Sequence, residues 1–579
     1  MMKNSEKSMD KIIALCKNRG FVFAGSEIYG GLANSWDYGP LGVEFKNNVK
    51  KAWLKKFVQE SPYNVGLDAA IIMNPQTWIT TGHVSSFSDP LLDCKACKAR
   101  HRADKLIGEE HHEVNVDAMS FDEMDKFIAE HEDIVCPVCG KHDFTPIRKF
   151  NLMFKTAIGV TEDSSSTCYL RPETAQGIFV NYQNLYRYNR EKMPMGVIQT
   201  GRGYRNEIAP RQGMIRMREF NMMEVELFVD PEDKDWPRFK DIENETIDLV
   251  PNTGVGMITT TVGKAVEDGI IANRVLAYFV YTTRQLLVRL GVDPKRLRFR
   301  QHDKDEMAHY AADCWDAEAL LSYGWTEITG IADRGCWDLS RHAEYSGADL
   351  THFKRFDEPR EMEVDKVRAK HKALGPEFKG KAKDIAAAME SKTPADVKDG
   401  KLTITVDGED IVLDDRFFEV AKVKEKVTGD RVIPHVIEPS HGLDRIFYTV
   451  LEHSYSHDDA EDYTVLRLKP EVAPIKVGVF PLMEKDGLDD MARRIYEGVH
   501  SHRVEAYYDG SGTIGKRYAR MDEVGTPWCI TVDYDSLSGE QQGTVTIRDR
   551  DSKAQKRIKA EDVPSVIDSL IAGKPFAEL

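Results

Sequence analysis

A chain of 579 residues is too long for one hydrophobic core and predicts two or three domains. With 41% hydrophobic and 30% charged residues, no apolar signal segment at the N-terminus and no run of about eighteen apolar residues, it reads as a cytoplasmic globular protein without membrane association. The formal net charge of −16 disfavours indiscriminate nucleic-acid binding, so any RNA contact must come from local cationic patches.

In chain order, Trp36 to Gly42 reads as a turn, followed by an amphipathic helix over Val43 to Val58, where Val49, Trp53 and Phe57 fall at helical spacing. Ala69 to Met73 reads as an apolar strand stopping at Asn74-Pro75, because proline cannot donate to a ladder. Residues 90–146 read as an insertion bracketed by cysteine pairs. Strands are predicted over Val197 to Thr200, Ile215 to Phe228, Gly324 to Ile331 and Val432 to Glu438. They are separated by excursions at 230–322 and 357–430. That spacing predicts an α+β plan, an antiparallel sheet interrupted by inserted modules.

The first excursion contains a predicted helix from Asn273 to Leu290, ended by Gly291. The second begins as a Lys/Ala/Glu-rich helical stretch and continues into a hairpin, Leu402 to Val406 and Ile411 to Leu413, turning at Asp407-Gly408. From Pro474 onward short β and α segments alternate, which marks a separate C-terminal α/β domain over 474–579, beside a domain over 1–473.

If Ile215 to Phe228 is a strand, Arg216, Arg218, Phe220, Met222, Glu224 and Glu226 share one face. Two cations, a ring and two carboxylates suit a nucleotide and an amine, although a salt-bridge ladder on a hairpin edge fits the same pattern. A second segment, Glu438-Pro439-Ser440-His441-Gly442-Leu443-Asp444-Arg445, leads into an apolar helix. There glycine permits close backbone approach, and an arginine one turn in can grip a phosphate or cover a base. Nine cysteines argue against a disulfide framework. Cys94-x-x-Cys97 and Cys136-x-x-Cys139 favour tetrahedral structural zinc, with metal-free thiols as the alternative. In the C-terminal domain, Lys516-Arg517-Tyr518-Ala519-Arg520 and the stretch Arg548 to Arg557 are cationic and suited to RNA phosphates, or else form a solvated face.

Arg205-x-Glu207 with Arg216-x-x-x-Phe220, and Gly442-x-Asp444-Arg445, resemble the second and third signature motifs of class II aminoacyl-tRNA synthetases. The stretches Trp36 to Gly42, Arg171-Pro172-Glu173-Thr174-Ala175-Gln176-Gly177, Glu306-Met307-Ala308-His309-Tyr310 and Glu438-Pro439-Ser440 narrow the resemblance to glycyl-tRNA synthetases of the homodimeric type. The helix over Val43 to Val58, the strand over Ala69 to Met73 and Pro75 are similar to the first motif, which builds the dimer interface in that family.

The resemblance implies a class II catalytic domain, a C-terminal anticodon-binding domain, and ATP-dependent attachment of glycine to tRNA(Gly) through a glycyl-adenylate. A non-catalytic RNA-binding paralogue and another ATP-dependent carboxylate-activating enzyme are the alternatives. It further implies that Arg205, Arg216 and Arg445 are catalytic. ATP would lie on Arg205, Asn206, Glu207, Ile215, Arg216, Met217, Arg218, Glu219, Phe220, Glu327, Ile328, Gly442, Leu443, Asp444 and Arg445, with Mg2+ on Glu327 and Glu438. Glycine would lie against Arg100, Glu173, Phe220, Asn221, Met222, Met223, Glu224, Glu438, Pro439, Ser440, His441 and Gly442, with Arg100 steering its carboxylate. Arg334 is a further candidate. Independently of the resemblance, which does not decide the cysteines, zinc on Cys94, Cys97, Cys136 and Cys139 would fix Arg100, three residues past Cys97.

Overall fold

The computed structural model describes residues 4–111, 114–116, 119–160, 166–208, 213–303, 306–307 and 311–579; Ala308 to Tyr310 of the Glu306 segment lie outside them. The chain divides into two compact units, one of Met1–Leu350 with Pro434–Leu579 and one of Thr351–Ile433.

The larger unit is organised by a nine-stranded sheet. Its strands are β1 (Asn64–Gly66), β2 (Met195–Tyr204), β3 (Glu219–Val229), β4 (Thr246–Val250), β5 (Ile258–Thr261), β6 (Leu297–Gln301), β7 (Asp313–Leu321), β8 (Gly324–Gly335) and β9 (His435–Gly442). They lie in the order β5-β4-β6-β7-β8-β9-β3-β2-β1, and all neighbours are antiparallel except β4–β6 and β1–β2. Alternation along β3 sets its two faces. Met223, Val225, Leu227 and Val229 enter the main core, while Phe220, Met222, Glu224 and Glu226 point the other way.

Three helices, α1 (Pro40–Leu54), α2 (Arg274–Leu290) and α3 (Leu443–Ser454), contribute to that core. Helix α2 illustrates why the local sequence folds so. Asn273 caps it by accepting from Leu276 N at 2.9 Å, the buried Val275, Phe279, Val280, Leu286, Leu287 and Leu290 form one apolar stripe, and Gly291 stops it at φ 112°.

Three expectations are corrected. The stretch 230–322 is no module beside the sheet, because it supplies β4 to β7 together with α2. Ala69 to Met73 forms no strand; only Ile72 bridges, to Leu170, while Asn74 and Pro75 start a short helix in which Asn74 accepts from Gln76 N. The start of the second excursion is a strand and not a helix. In the smaller unit, strands His352–Ala369 and Phe418–Val432 pair antiparallel as a long ribbon, with helices confined to His371–Phe378 and Ala382–Glu390. Lys and Glu serve an exposed ribbon as well as a helix, and Lys366 meets Glu425 across the ribbon at 2.7 Å. The hairpin turn at Asp407 and Gly408 has φ 52° and 81°, the left-handed pair a two-residue loop requires.

In the C-terminal region, β10 (Val477–Pro481), β11 (Ala506–Tyr508), β12 (Trp528–Val532), β13 (Thr544–Asp549) and β14 (Gln555–Lys559) lie in the order β11-β10-β12-β13-β14. The first three are parallel, with helices α4 (Leu488–Ser501) and α5 (Ile514–Glu523) between them in the chain. The connection into this region is pinned from both sides. Buried Lys476 donates to the carbonyls of Pro470, Glu471 and Ala473 at 2.8–3.0 Å, and Asn48 of α1 donates to Ala473 O at 3.1 Å.

Candidate active site

The polar face of β3, β9 and β8 carries a group of buried acids. Glu224 accepts from Thr174 N at 3.2 Å, from Thr174 Oγ1, and from Ser440 Oγ at 2.7 Å. Glu438 accepts from Arg334 Nη1 at 2.8 Å, and Arg334 is also paired through Nε and Nη2 with Asp338 at 2.8 and 3.0 Å. Gln176 Nε2 ties Asp338 to Glu173 at 2.8 and 3.1 Å. Burial and the nearby Glu438 push Glu224 up to about 7. Glu173 is buried too, yet His83 and Arg334 outweigh that and hold it below the ordinary carboxylate range. The result is a compact acceptor set facing a sheet, the chemistry that takes up an ammonium group.

Beside it a cleft is lined by Arg205, Glu207, Met214, Ile215, Arg216, Met217, Phe220, Asn221, Met222, Glu327, Ile328 and Gly330, and by Ser440, Gly442, Asp444 and Arg445. The Arg205 guanidinium lies 5.3 Å from the ring centres of both Phe87 and Phe220 and donates to Pro172 O at 3.2 Å. Gly203 is required behind Phe220, since a Cβ there would stand 2.8 Å from the ring. Arg445 pairs with Glu327 at 2.9 Å, and that charge keeps Glu327 ionised below the usual range. Buried Asp444 accepts from Tyr38 OH and from Asn221 N and Nδ2, which locks α3 onto β3.

Several sequence-predicted residues fall elsewhere. Strand β3 begins only at Glu219, so Arg216 and Arg218 are set by a turn and not by strand alternation; Arg216 reaches the cleft and Arg218 does not. Arg218 donates to Ala33 O and Glu207 O and, with Asn206 and Glu219, lines a neighbouring cavity of about 950 Å³ that also includes Trp36 and Tyr38. Met223 and Leu443 are core residues. Pro439 and His441 alternate away from Glu438 and Ser440, and His441 sits between Trp53 Nε1 at 3.2 Å and Thr283 Oγ1 at 3.3 Å. Glu438, a candidate for magnesium as well as glycine, has its carboxylate committed to Arg334 in the acid group. The sequence reading missed Thr174, Gln176 and Asp338. The first two lie inside the Arg171 to Gly177 stretch already singled out, and Asp338 lies four residues past Arg334, in the first turn of the helix that follows β8.

The cysteine pairs converge. Cys94, Cys97, Cys136 and Cys139 place their sulfurs within 4.8 Å of one another, with Cys94–Cys139 and Cys97–Cys136 at 3.6 Å. His101 Nε2 lies 3.2 Å from Cys136 Sγ. Arg100 is corrected: its side chain is 70% exposed on this lobe, 3.8 Å from Asp93, and it lines neither cavity.

In the C-terminal region the expected RNA-facing cations are mostly structural. Arg517 is buried and donates to the carbonyls of Pro481, Gly510, Ser511 and Gly512. Arg548 is paired with Asp522, and Arg550 with Gly525 O and Asp551. Tyr518 shares its hydroxyl with Thr531 at 2.6 Å. Lys516 and Lys553 remain exposed.

Residues 154–454 match the tRNA synthetase class II core domain (G, H, P, S and T), and residues 476–570 match the anticodon binding domain. The chain is 47% identical to the glycine–tRNA ligase of Methanothrix thermoacetophila, with 97% of each chain covered. It is 43% identical to that of Archaeoglobus fulgidus, again over 97% of each, and 41% identical to that of Methanocaldococcus jannaschii over 96% of this chain and 97% of the relative. Among the described residues no helix is long and apolar enough to cross a membrane.

Proposed function

The chain belongs to the class II tRNA synthetases and, within them, to the glycine–tRNA ligases, and we propose that the acid group and the adjoining cleft are the places where its glycine and ATP meet. The reaction joins the carboxylate of glycine to the α-phosphate of ATP, releases pyrophosphate, and passes the glycyl group to the terminal ribose of tRNA. Attack by a carboxylate needs no protein nucleophile, only alignment and charge neutralisation.

Arg205, held by two rings and a carbonyl, supports a role gripping the α-phosphate and the incoming carboxylate together. Arg216 would take the terminal phosphates, and Phe220 and Arg445 would bracket the base, a reading supported by all three lining the same cleft. The observation that carries the glycine assignment is the set of acceptors formed by the buried Glu224 and Glu438 with the half-buried Glu173 and Ser440, a set suited to an ammonium group. Magnesium, when present with ATP, neutralises phosphate charge, and Glu327, ionised and 48% exposed in the cleft, fits as its ligand.

Glycine-dependent exchange of pyrophosphate into ATP tests this reading beside alanine and serine; exchange with glycine alone is expected, and equal exchange with alanine overturns it. Because an ionised Glu224 holds an ammonium far more strongly than a neutral one, KM for glycine is expected to rise as pH falls through about 7, by up to about tenfold per unit. A KM flat from pH 8 to about 6 would remove Glu224 from the site.

The cysteine cluster we read as structural zinc. Tetrahedral Zn–S bonds of about 2.3 Å separate sulfurs by about 3.8 Å, and the 3.6 Å pairs fit that set. Cys136→Ser with Cys139→Ser is expected to lose one equivalent of zinc and to loosen the packing of Leu92, Ile107, Met124 and Ile134, read by proteolysis within 90–146. With Arg100 exposed on the lobe, KM for glycine is expected to stay within about twofold.

A homodimer in the cytoplasm, with the C-terminal domain on the tRNA(Gly) anticodon, belongs to the same reading. The exposed apolar Ile28, Tyr29 and Leu32 support a subunit contact, and sedimentation at twice the chain mass tests it.

A further inference from the structure

Glu226 follows Glu224 by one strand repeat on the polar face of β3, is fully buried, and has no hydrogen-bond partner on either carboxylate oxygen. One oxygen each from Glu224, Glu226 and Glu438 lie within 4.8 Å of one another. The charged groups that face it are Glu224 on its own strand, Glu438 on β9, Arg334 on β8 and Asp338 on the helix after β8. Arg334 is the one cation among these four, and it donates to Glu438 and Asp338.

An ionised carboxylate buried without a donor is among the costliest groups a protein interior can hold. A protonated one turns an oxygen into a donor that a neighbouring carboxylate accepts. We infer that Glu226 stands as a neutral carboxylic acid whose O–H is given to the Glu224–Glu438 pair, and that it thereby positions those two carboxylates as acceptors for the amine of the amino-acid substrate. Burial and the charge of Glu438 both drive Glu226 well above the ordinary carboxyl range, in keeping with that state.

The proton does not move during the reaction. It stays on Glu226, removes one negative charge from a crowded group, and leaves Glu224 and the Glu438 oxygen that is not bonded to Arg334 ionised as acceptors for the ammonium. Glu226 is a positioning residue, acting through its neighbours. The inference rests on reading that face as the glycine site.

Isotope-edited infrared spectra of the full-length enzyme near neutral pH, together with exchange kinetics, test it. Glu226→Gln keeps a neutral donor of the same length. It is expected to remove one protonated-carboxyl band from the spectrum and to leave KM for glycine within about twofold. Glu226→Leu offers similar bulk and no donor, and is expected to raise KM for glycine about tenfold or more with KM for ATP unchanged. A parent spectrum lacking a band that Glu226→Gln removes overturns the inference. So does a glutamine variant as impaired for glycine as the leucine variant. If the leucine variant does not fold, the spectrum and the glutamine kinetics decide alone. Absence of glycine-dependent exchange in the parent overturns the glycine-site reading instead, and the infrared band still decides the state of Glu226.

Discussion

Arg205→Ala is expected to lower glycine-dependent pyrophosphate exchange by about 10²- to 10³-fold, the usual cost of deleting one preorganised donor to a developing charge. The size of the effect follows from how firmly the side chain is held. Its guanidinium sits 5.3 Å from the rings of Phe87 and Phe220, its Nε is spent on Pro172 O, and its backbone N is fixed by Arg218 O at 2.9 Å. A group so fixed loses little freedom when it meets a phosphate. Arg205→Lys is expected to recover only a small part, because an ammonium cannot present the planar fork that spans a phosphate and a carboxylate together. Binding of tRNA, measured separately, should be largely unchanged; exchange near the parent rate would take Arg205 out of the chemistry.

Asp522→Ala is expected to destabilise the C-terminal domain by about 3–5 kcal/mol, because it strands a buried guanidinium. Asp522 is fully buried and accepts from Arg548 Nη1 and Nη2 at 3.0 and 2.9 Å, with Tyr463 OH as a third donor. Native-state hydrogen exchange of the amides in β10 to β13 reads the loss locally. The paired change Asp522→Leu with Arg548→Met is expected to regain most of the stability, since the cost lies in the unpaired charge more than in the missing attraction. Glycine-dependent exchange should survive in Asp522→Ala at temperatures where the sheet of nine strands remains folded. A loss below about 1 kcal/mol would mean that water reaches Arg548.

Strand alternation made one part of the site legible in the sequence, and the motif resemblance supplied the rest. From Phe220 to Glu226 the period of two separated the acids from the core, whereas Glu438 and Ser440, which alternate likewise on β9, were reached through the family resemblance because the predicted strand stopped at Glu438. Alternation extended too early became misleading: Arg216 and Arg218 belong to a turn, and only Arg216 reaches the cleft. His441 shows the same rule applied too little, since it is one residue from Ser440 and therefore on the opposite face. The C-terminal alternation of short strands and helices was readable because each unit is local. The fate of Arg517 and Arg548 was not, because their partners lie on other elements and a buried cation looks in sequence like an exposed one. The long ribbon at 352–369 was hidden for a related reason: its partner strand begins nearly fifty residues later, at Phe418, and composition alone cannot see a distant pairing.

Strand β9 stands between β3 and β8 and is the last of the nine to be made. During synthesis the ribosome therefore releases two half-sheets, each with an unpaired inner edge, and then the whole of 351–433, before residues 435–442 arrive to join them. A nascent chain, or one cut anywhere in 351–433, has neither Glu438 nor Ser440 and carries two open strand edges ready to pair with other chains. Completion of the acid group and closure of the sheet thus wait on the same eight residues.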